Sequence, residues 1–402
     1  MNSKTLPVFL SFLCMGFGDA VNTFVGVAKD HFSLTTFESS FIASAGFIMF
    51  GLLSVPMGLF QDKCGRKKTL LTGLIVALIG ILTVMLFGLD RYAVFLLSIL
   101  LLGGGATILQ VAGNPIMRDV SDEGRYSSNL SLGQFIKAIG SFTAPLVFFM
   151  AGKMGYTETQ SWNVLFPIFA VAVAVSIISV ATLKVQEKSD AGKTASLGSC
   201  IRLLGDPSVA FSVLAIFVYV GAEVCMASGM PVYFSEQFGI NQSLATKFVM
   251  YFFVTIMIGR FLGAMLLRKV RPGRFLVATC YVSLAGFILL VLGSSAVGLI
   301  ASPDAREIVT TASLVVLALG FANIFPLVFS MAIDRLPDKA NELSGLMVSA
   351  ICGGAFLLPL MGWIGDASGN LFYGFVVPLV AVLYILGVGL VMKSEKKEGR
   401  DA

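Results

Sequence analysis

The sequence predicts an all-α membrane protein of twelve transmembrane helices, arranged as two pseudo-symmetric six-helix bundles. Hydrophobic residues occupy 56% of the 402 positions, charged residues only 13%, and the mean hydropathy is +0.89. So little polar surface cannot coat a soluble globule. Apolar runs of about 20 residues, the length with which a helix crosses the hydrocarbon core, recur along the chain. A loop after the second run also has a degenerate copy in the second half, as parallel six-span repeats predict.

Twelve apolar runs define the predicted spans, which are numbered in chain order. In the first half they are Leu6–Ala28, Ser39–Phe60, Thr69–Phe87, Ala93–Ala112, Leu130–Ala151 and Val164–Leu183. In the second half they are Val209–Ser228, Phe248–Leu267, Phe275–Val297, Ile308–Ile333, Leu343–Ile364 and Phe372–Val391. The first run lacks the small-residue cleavage pattern of a signal peptide, so we expect a retained helix.

The longest polar stretch separates the two halves. We predict an N-terminal six-helix bundle over residues 1–184, a cytoplasmic linker over 185–206, and a C-terminal bundle with a short cytoplasmic tail over 207–402. Most Lys and Arg residues fall in the even-numbered connections, the linker and the termini. The opposite side holds only Lys29, Arg91, Lys153, Lys247 and Arg306. The positive-inside rule therefore predicts that both termini are cytoplasmic.

Composition argues against several other classes of protein. A single histidine, His31, and six scattered cysteines without a Cys-x-x-Cys pair argue against a metal site, a disulfide framework or a catalytic triad. The sequence has no Gly-x4-Gly-Lys-Ser/Thr run for ATP. Its basic residues are dispersed over short loops, which argues against nucleic acid as a partner. We therefore expect neither an enzyme nor a cofactor, and we expect the lipid bilayer and a small molecule as partners.

The loop after the second span packs glycines, an acid and several bases into one short turn. From Gly58 it reads Gly-Leu-Phe-Gln-Asp-Lys-Cys-Gly-Arg-Lys-Lys, which resembles motif A of the major facilitator superfamily. Gly58 would allow close helix approach and Gly65 a tight turn, while Asp62 would cap or pair with neighbouring groups. Together with Arg66 these are the candidate gating residues. The alternative interpretation is an ordinary positive-inside loop with incidental glycines. The degenerate copy begins at Gly259-Arg260-Phe261-Leu262-Gly263.

Five further stretches are similar to the fucose, galactose and glucose proton symporter family. They are Gly103-Gly104-Gly105 through Asn114-Pro115 in the fourth span, Asn129-Leu130 with Gln134 and Gly140 in the fifth, Tyr219–Glu223 in the seventh, Ile324–Ser330 in the tenth, and Gly353-Gly354 with Pro359, Gly362 and Asp366 in the eleventh. The resemblance implies a monomeric transporter of the major facilitator fold in a bacterial inner membrane. It would import a monosaccharide-like solute by proton symport through alternating access, with the proton gradient as its driving force.

The resemblance also implies a set of substrate-binding residues. The family's first-span aspartate and fourth-span glutamate, which carry protons and bind sugar, align with Asn22 and Gln110. The fifth-span asparagine that contacts sugar aligns with Lys137, and its neighbouring glutamine is kept as Gln134. Both carboxylates are thus amides here, so we expect a substrate other than neutral fucose. Three more residues complete the set, namely Asn114, Glu223 and Asn323.

Three charges within the predicted spans need a partner or a wet cavity, because a charge at mid-bilayer costs on the order of 3 kcal/mol. Lys137 either binds an acidic substrate, such as a sialic or uronic acid or a small organic anion, or pairs internally with Asp19 or Glu223. Asp19 is either a proton-coupling carboxylate or an acid hydrogen-bonded at a broken helix end. Glu223 has the same two interpretations. All three are expected to face one aqueous pocket between the halves.

Other polar and aromatic residues have structural interpretations beside functional ones. Arg260 is expected near the cytoplasmic end of the eighth span, where it would snorkel or join the loop. Asn323 precedes Pro326 by one turn, and it either satisfies a kinked backbone or contacts sugar. The phenylalanines are expected mainly on lipid-facing surfaces. As functions of another class, a membrane sensor would usually add a soluble domain, and a lipid flippase would need a cavity open sideways to the bilayer.

Overall fold

Helices account for all the regular elements in the part of the chain that the structure describes. The computed structural model describes residues 4–19, 32, 36–88, 91–156, 158–184, 196–240 and 242–398. In the first half the helices are, in span order, Thr5–Asp19, Thr36–Cys64, Arg66–Phe87, Tyr92–Val120, Tyr126–Lys153 and Glu158–Thr182. A short linker helix, Leu197–Leu203, follows. The predicted candidate Asn22 lies outside the described residues.

In the second half the last three spans are interrupted. The seventh to ninth spans are the helices Pro207–Phe238, Gln242–Leu266 and Pro272–Gly293. The tenth consists of Pro303–Phe321 and Ile324–Arg335, and the eleventh of Ala340–Ser349 and Gly354–Ser368, joined by a 3-10 turn at Ala350–Gly353. The twelfth consists of Leu371–Gly374 and Val376–Glu398. The interruption of the tenth span falls three residues before the proline that was expected to break it.

Nine segments of the described chain are long and apolar enough to cross a membrane, namely spans three, four and six to twelve. The helices of the first, second and fifth spans supply the remaining predicted crossings. The prediction of an all-α protein with twelve spans is confirmed. The fourth and seventh helices run well beyond their predicted ends, because the helix continues through Pro115 and Pro231.

Pro115 is accommodated inside the fourth span by a side chain from a distant segment. A proline in a helix interior has no N–H for the carbonyl four residues earlier, which here belongs to Val111. The Ser344 hydroxyl donates to that carbonyl at 2.7 Å. A second bond, from the Tyr126 hydroxyl to the Asn114 carbonyl at 3.0 Å, holds the start of the fifth span against the same region. The Ser344 bond supplies the donor that Pro115 lacks, so the helix continues past a residue that usually ends one.

The described helices pack into two compact units. The first comprises the chain up to Asp206 together with Arg335–Ser349, and the second comprises Pro207–Asp334 and the chain from Ala350 onward. The change of unit at Pro207 coincides with the end of the predicted linker. The membership of Arg335–Ser349, which follows the tenth span in sequence, in the first unit was not anticipated. The limits of the two six-helix bundles themselves stay a prediction.

The first and fifth spans touch backbone to backbone. A methyl group added at Gly16 would overlap the Lys137 carbonyl, and one added at Gly140 would overlap the Leu13 carbonyl. Small residues at such crossings let membrane helices approach closely and pack well without a hydrophobic driving force. The contact fixes the backbone of Lys137 against the first span, one turn of helix away from Gly140.

Apolar side chains cover much of the outer surface of the described spans, including Leu86, Ile178, Phe356 and Trp363. Such exposure would be unfavourable in water, and it matches a lipid environment. The expectation that phenylalanines lie mainly on lipid-facing surfaces is wrong, because more of the described ones are buried than exposed. Several form interior stacks, such as Phe17 on Phe169 at 3.9 Å between ring centroids.

Candidate functional site

The first unit contains a group of buried polar side chains on its fourth and fifth spans. Gln110 and Asn114 are one turn apart on the fourth span, and Ser131 and Gln134 are one turn apart on the fifth, so each pair lies on one helix face. Their exposed fractions are 2%, 0%, 0% and 3%, in that order. This arrangement places three predicted binding residues, together with Ser131, in the interior.

Several atoms of this group lack a hydrogen-bond partner among the described residues. They are Nδ2 and Oδ1 of Asn114, Oγ of Ser131 and Nε2 of Gln134. Buried polar groups in native proteins are nearly always hydrogen-bonded, and an unmade bond costs about 1–3 kcal/mol. The group therefore offers donors and acceptors that the described residues leave open, for example to water or a polar ligand. Ser131 was missed by the sequence analysis, although its position one turn before Gln134 pointed to the same face.

Lys137 lies one turn after Gln134 on the fifth span and is half-buried. Asp19 is the last residue of the described first helix, Thr5–Asp19. Whether Lys137 binds an anion or pairs internally therefore stays a prediction, as does a pairing with Asp19.

In the second unit Glu223 has a partner that the sequence analysis did not assign. Its Oε1 lies 3.7 Å from Nη2 of Arg260, and the two side chains are 17% and 12% exposed. The Arg260 Nε also donates to the Ala322 carbonyl at 3.2 Å. The prediction that Arg260 snorkels to the cytoplasmic surface or joins the loop is therefore wrong. Its side chain turns inward, because an acidic side chain and an open carbonyl are available there.

Asn323 lies at the interruption of the tenth span and is 2% exposed. Its Nδ2 donates to the Gly259 carbonyl at 2.8 Å, which supports the structural interpretation. Its Oδ1 has no partner among the described residues, so the asparagine also presents an open acceptor. A side chain at Gly263 would overlap this amide, and the eighth span therefore needs glycine at that position.

The loop predicted as a gating motif is anchored by Asn341, in the first turn of the eleventh span. Oδ1 of Asn341 accepts from Gln61 Nε2 and from Arg66 Nε, each at 2.9 Å, and its Nδ2 donates to Asp62 Oδ1 at 3.3 Å. Arg66 also forms an ion pair with Asp119 at the end of the fourth span. The structure thus brings Asp62 and Arg66 together on one asparagine that sequence reasoning missed.

Steric constraints explain why both of these positions in the motif are glycine. Gly65 has a φ of 89° at the start of the third span, a conformation that glycine adopts without strain. A side chain at Gly58 would press against the Asn341 carbonyl and Gly345. The second span and the start of the eleventh therefore meet at a glycine-to-glycine contact.

The linker helix is tied to the same first turn of the eleventh span. Ser196 and Ser199 form a reciprocal capping box at its start, and Ser199 Oγ donates to Glu342 Oε1 at 3.0 Å. Lys339 Nζ lies 3.5 Å from the same carboxylate oxygen. Burial, the nearby Glu342 carboxylate and then Asp62 raise the pKa of the Cys200 thiol above its ordinary value of 9.0. Asn341 and Glu342 thus hold the loop and the linker helix side by side.

Comparison with known proteins agrees with this architecture. The sequence profile of the Major Facilitator Superfamily matches residues 8–359. A glucose/galactose transporter of Brucella abortus biovar 1 (strain 9-941) is 30% identical over an alignment of 397 positions, which covers 95% of this chain and 92% of that protein. The L-fucose-proton symporter of Escherichia coli K12 is 26% identical over an alignment of 389 positions, which covers 88% of this chain and 85% of that protein.

A solved structure gives the same fold. A crystal structure of the E. coli fucose:proton symporter superposes with a TM-score of 0.80 at 20% identity, covering 96% of this chain and 98% of that one. The profile match spans most of the sequence, and the relative from Brucella matches nearly its whole length. The chain therefore belongs to the Major Facilitator Superfamily and is a multi-pass membrane transporter.

Proposed function

We propose that the protein imports a neutral monosaccharide of the glucose and galactose kind across the bacterial inner membrane, by proton symport. The names of its relatives support this, because they include a glucose/galactose transporter and an L-fucose-proton symporter. The single observation that carries the proposal is the set of buried polar atoms on Asn114, Ser131 and Gln134 that have no hydrogen-bond partner in the described part of the chain.

These atoms suit a sugar because every sugar hydroxyl both donates and accepts. The Asn114 amide supplies a donor and an acceptor, the Gln134 amide a donor, and the Ser131 hydroxyl either role. Ligand sites in proteins combine an apolar lining with a few such well-placed polar groups. Because all of them are uncharged, they favour a neutral polyol over an ion.

Asp19 is the proposed proton carrier, and the loop around Asp62 and Arg66 is the proposed gate of an alternating-access cycle. By the resemblance to the symporter family, Asn22 and Gln110 align with its proton-carrying carboxylates, so we assign the proton to a carboxylate elsewhere. Asp19 precedes Asn22 by three residues in the sequence, the spacing of neighbours on one face of a helix. The distribution of basic residues supports cytoplasmic termini, and we propose that the monomer is the working unit.

An acidic sugar is the second candidate substrate, and the position of Lys137 favours it. The lysine is half-buried and lies one turn after Gln134, so a bound sugar acid would meet an ammonium group beside the amide. Lysine often binds anionic groups as a point charge. The two candidates differ in the charge of the substrate and are separable in one assay.

A thermal-shift and uptake screen tests the proposal. Purified protein is melted with D-glucose, D-galactose, L-fucose, D-glucuronate, sialic acid and lactate, because a ligand that binds only the native state raises the melting temperature. Proteoliposomes with an inward proton gradient then report accumulation of each radiolabelled solute. We expect glucose or galactose to stabilise the protein and to accumulate.

The Gln134→Ala variant should lose the response to the sugar, whereas Thr143→Ala should keep it. Thr143 is a partly exposed residue of the same helix, and its hydroxyl donates to the Ile139 carbonyl of that helix, so it is a matched control. Stabilisation by the acids alone would replace the neutral substrate by an anionic one bound through Lys137. No stabilisation or uptake of any sugar would overturn the proposed function.

A further inference from the structure

Pro326 leaves a backbone carbonyl of the second unit without its helical donor, and Arg260 donates to that carbonyl instead. A proline cannot donate to the carbonyl four residues earlier, which here belongs to Ala322. The Arg260 Nε donates to that oxygen at 3.2 Å. In the opposite direction, Asn323 Nδ2 donates to the Gly259 carbonyl at 2.8 Å. Adjacent residues of the eighth and tenth spans thus exchange two hydrogen bonds exactly where the tenth span is interrupted.

The same guanidinium also reaches the seventh span. Arg260 Nη2 lies 3.7 Å from Glu223 Oε1, and both side chains are largely buried. A buried charge within a span needs a counter-charge, and removing one partner leaves the other uncompensated. Tyr219, one turn before Glu223, is buried, and its hydroxyl has no hydrogen-bond partner among the described residues. Its ring also packs edge-on against Phe321, the last residue before the interruption, at 6.1 Å between centroids.

We infer that Arg260 is a positioning residue, which holds the Glu223 carboxylate and the open Asn323 amide in one fixed arrangement for binding substrate. The planar guanidinium makes this possible because it presents several donors in a rigid fork, one toward the Ala322 carbonyl and another toward the carboxylate. Asn323 Oδ1 is buried and unpaired among the described residues, so the arrangement retains an acceptor for a ligand hydroxyl. This inference rests on the proposed sugar transport, and all the groups that it invokes lie in the second unit.

If Arg260 positions these groups, a substitution that keeps its positive charge but not its guanidinium geometry should still impair sugar binding. Lysine keeps the positive charge but offers one compact ammonium, which cannot satisfy the carbonyl and the carboxylate in the same way. Arg260→Lys should therefore keep most of the thermal stability and raise the KM for the sugar about tenfold, which corresponds to about 1.4 kcal/mol. A merely structural arginine would leave KM unchanged once the fold is retained.

The experiment is a double-mutant cycle with two readouts. Arg260→Met, Glu223→Gln and the double variant are compared with the wild type, and Arg268→Met, an exposed residue after the same span, serves as control. Melting temperatures without sugar report the pairing of Arg260 with Glu223. If the two are paired, the double variant should lose less melting temperature than the two single variants lose together. Counterflow of the sugar in proteoliposomes gives KM and kcat, and the double variant should keep the raised KM.

The two possible failures are distinguishable. Additive melting-temperature losses, or a wild-type KM in both Arg260→Lys and the double variant, would overturn the positioning role. If the wild type transports none of the sugars, the proposed function falls, and additivity of the ligand-free cycle still decides whether Arg260 holds Glu223 at all. Unchanged behaviour of the Arg268→Met control is required for either conclusion.

Discussion

The Asn114 amide has neither its donor nor its acceptor paired among the described residues, whereas the Arg260 guanidinium contacts both a carbonyl and a carboxylate. The two residues therefore differ in what the fold gains from them. An unmade hydrogen bond in the interior opposes stability, and the Asn114 side chain makes none to the residues that the structure describes. Loss of the guanidinium, by contrast, would leave Glu223 buried without a counter-charge, which is strongly destabilising.

We predict that Asn114→Leu leaves the melting temperature without ligand unchanged or higher and weakens sugar binding about tenfold, or about 1.4 kcal/mol. Replacement of an unsatisfied buried polar group by an apolar one of similar volume is neutral or stabilising. The binding loss follows because leucine offers no partner to a sugar hydroxyl. Thermal melting with and without D-galactose, and KM in counterflow, measure the two effects.

Asn129→Leu is the matched control for this prediction. Asn129 is an asparagine of the same unit whose Nδ2 is paired, donating to Ser121 Oγ at 2.8 Å, so its loss should lower the melting temperature and leave KM unaltered. If Asn114→Leu behaves in that way instead, its amide has a structural role and the polar group does not bind substrate.

Sequence reasoning found the buried amides and missed the partners of Arg260, for a physical reason. A polar residue inside an apolar span can be recognised from the sequence alone, as with Gln110, Asn114 and Gln134. The sequence does not show which way the side chain of an arginine near the end of a span points. Snorkelling to the surface and pairing in the interior have the same sequence pattern. The one available signal was Pro326, which opens the acceptor at Ala322, and only the tertiary fold brings Arg260 to it.

At the scale of elements, the first turn of the eleventh span connects the loop after the second span with the linker helix. Asn341 binds the loop after the second span, and the adjacent Glu342 binds the linker helix through Ser199. The glycines and charges of the loop were predicted because their spacing resembles a known motif. Their partner was not predicted, since Asn341 has no distinctive neighbours in sequence. The same holds for Ser344, whose bond to Val111 explains why the fourth span outruns its predicted end.

We predict that Asn341→Ala speeds the alkylation of Cys200 and slows transport without changing sugar affinity. Removal of the amide breaks three bonds to the loop, so Glu342 and Asp62 no longer hold their places beside the linker helix. Burial and these two carboxylates raise the pKa of the Cys200 thiol, so little of the reactive thiolate forms near neutral pH. When they move away, the pKa falls toward its ordinary value, and the thiolate fraction at about pH 8 rises.

Maleimide labelling against pH, in a background with Cys64→Ser and Cys352→Ser, measures the first effect. Counterflow gives kcat and KM for the second. Asn370→Ala is the control, since Asn370 also lies at a helix start and caps the twelfth span through Phe372, so its loss should cost about 1 kcal/mol of stability and leave Cys200 unchanged. Wild-type labelling and turnover in Asn341→Ala would exclude the gating interpretation of this contact.

For the whole molecule, the number of spans was predictable because hydrophobic length is a direct requirement of the bilayer. The grouping of Arg335–Ser349 with the first unit could not be predicted from the sequence. It depends on contacts such as those of Asn341 and Ser344 and not on hydropathy. Coupling is likewise a property of the whole chain. It requires a group that binds a proton on one side of the membrane and releases it on the other, in step with the substrate.

We predict that Asp19→Asn abolishes uphill accumulation of sugar under an inward proton gradient and leaves sugar exchange intact. Asparagine keeps the shape of the side chain and cannot ionise, so the cycle no longer carries a proton. Exchange needs only the movement of loaded protein between its two states, and no net proton is transferred. Gradient-driven uptake and counterflow in the same proteoliposomes separate these activities. Asp366→Asn, at an exposed position of the eleventh span, should retain both. Unchanged accumulation in Asp19→Asn would remove this residue from the coupling mechanism, and a loss of exchange together with sugar-induced stabilisation would place it in substrate binding instead.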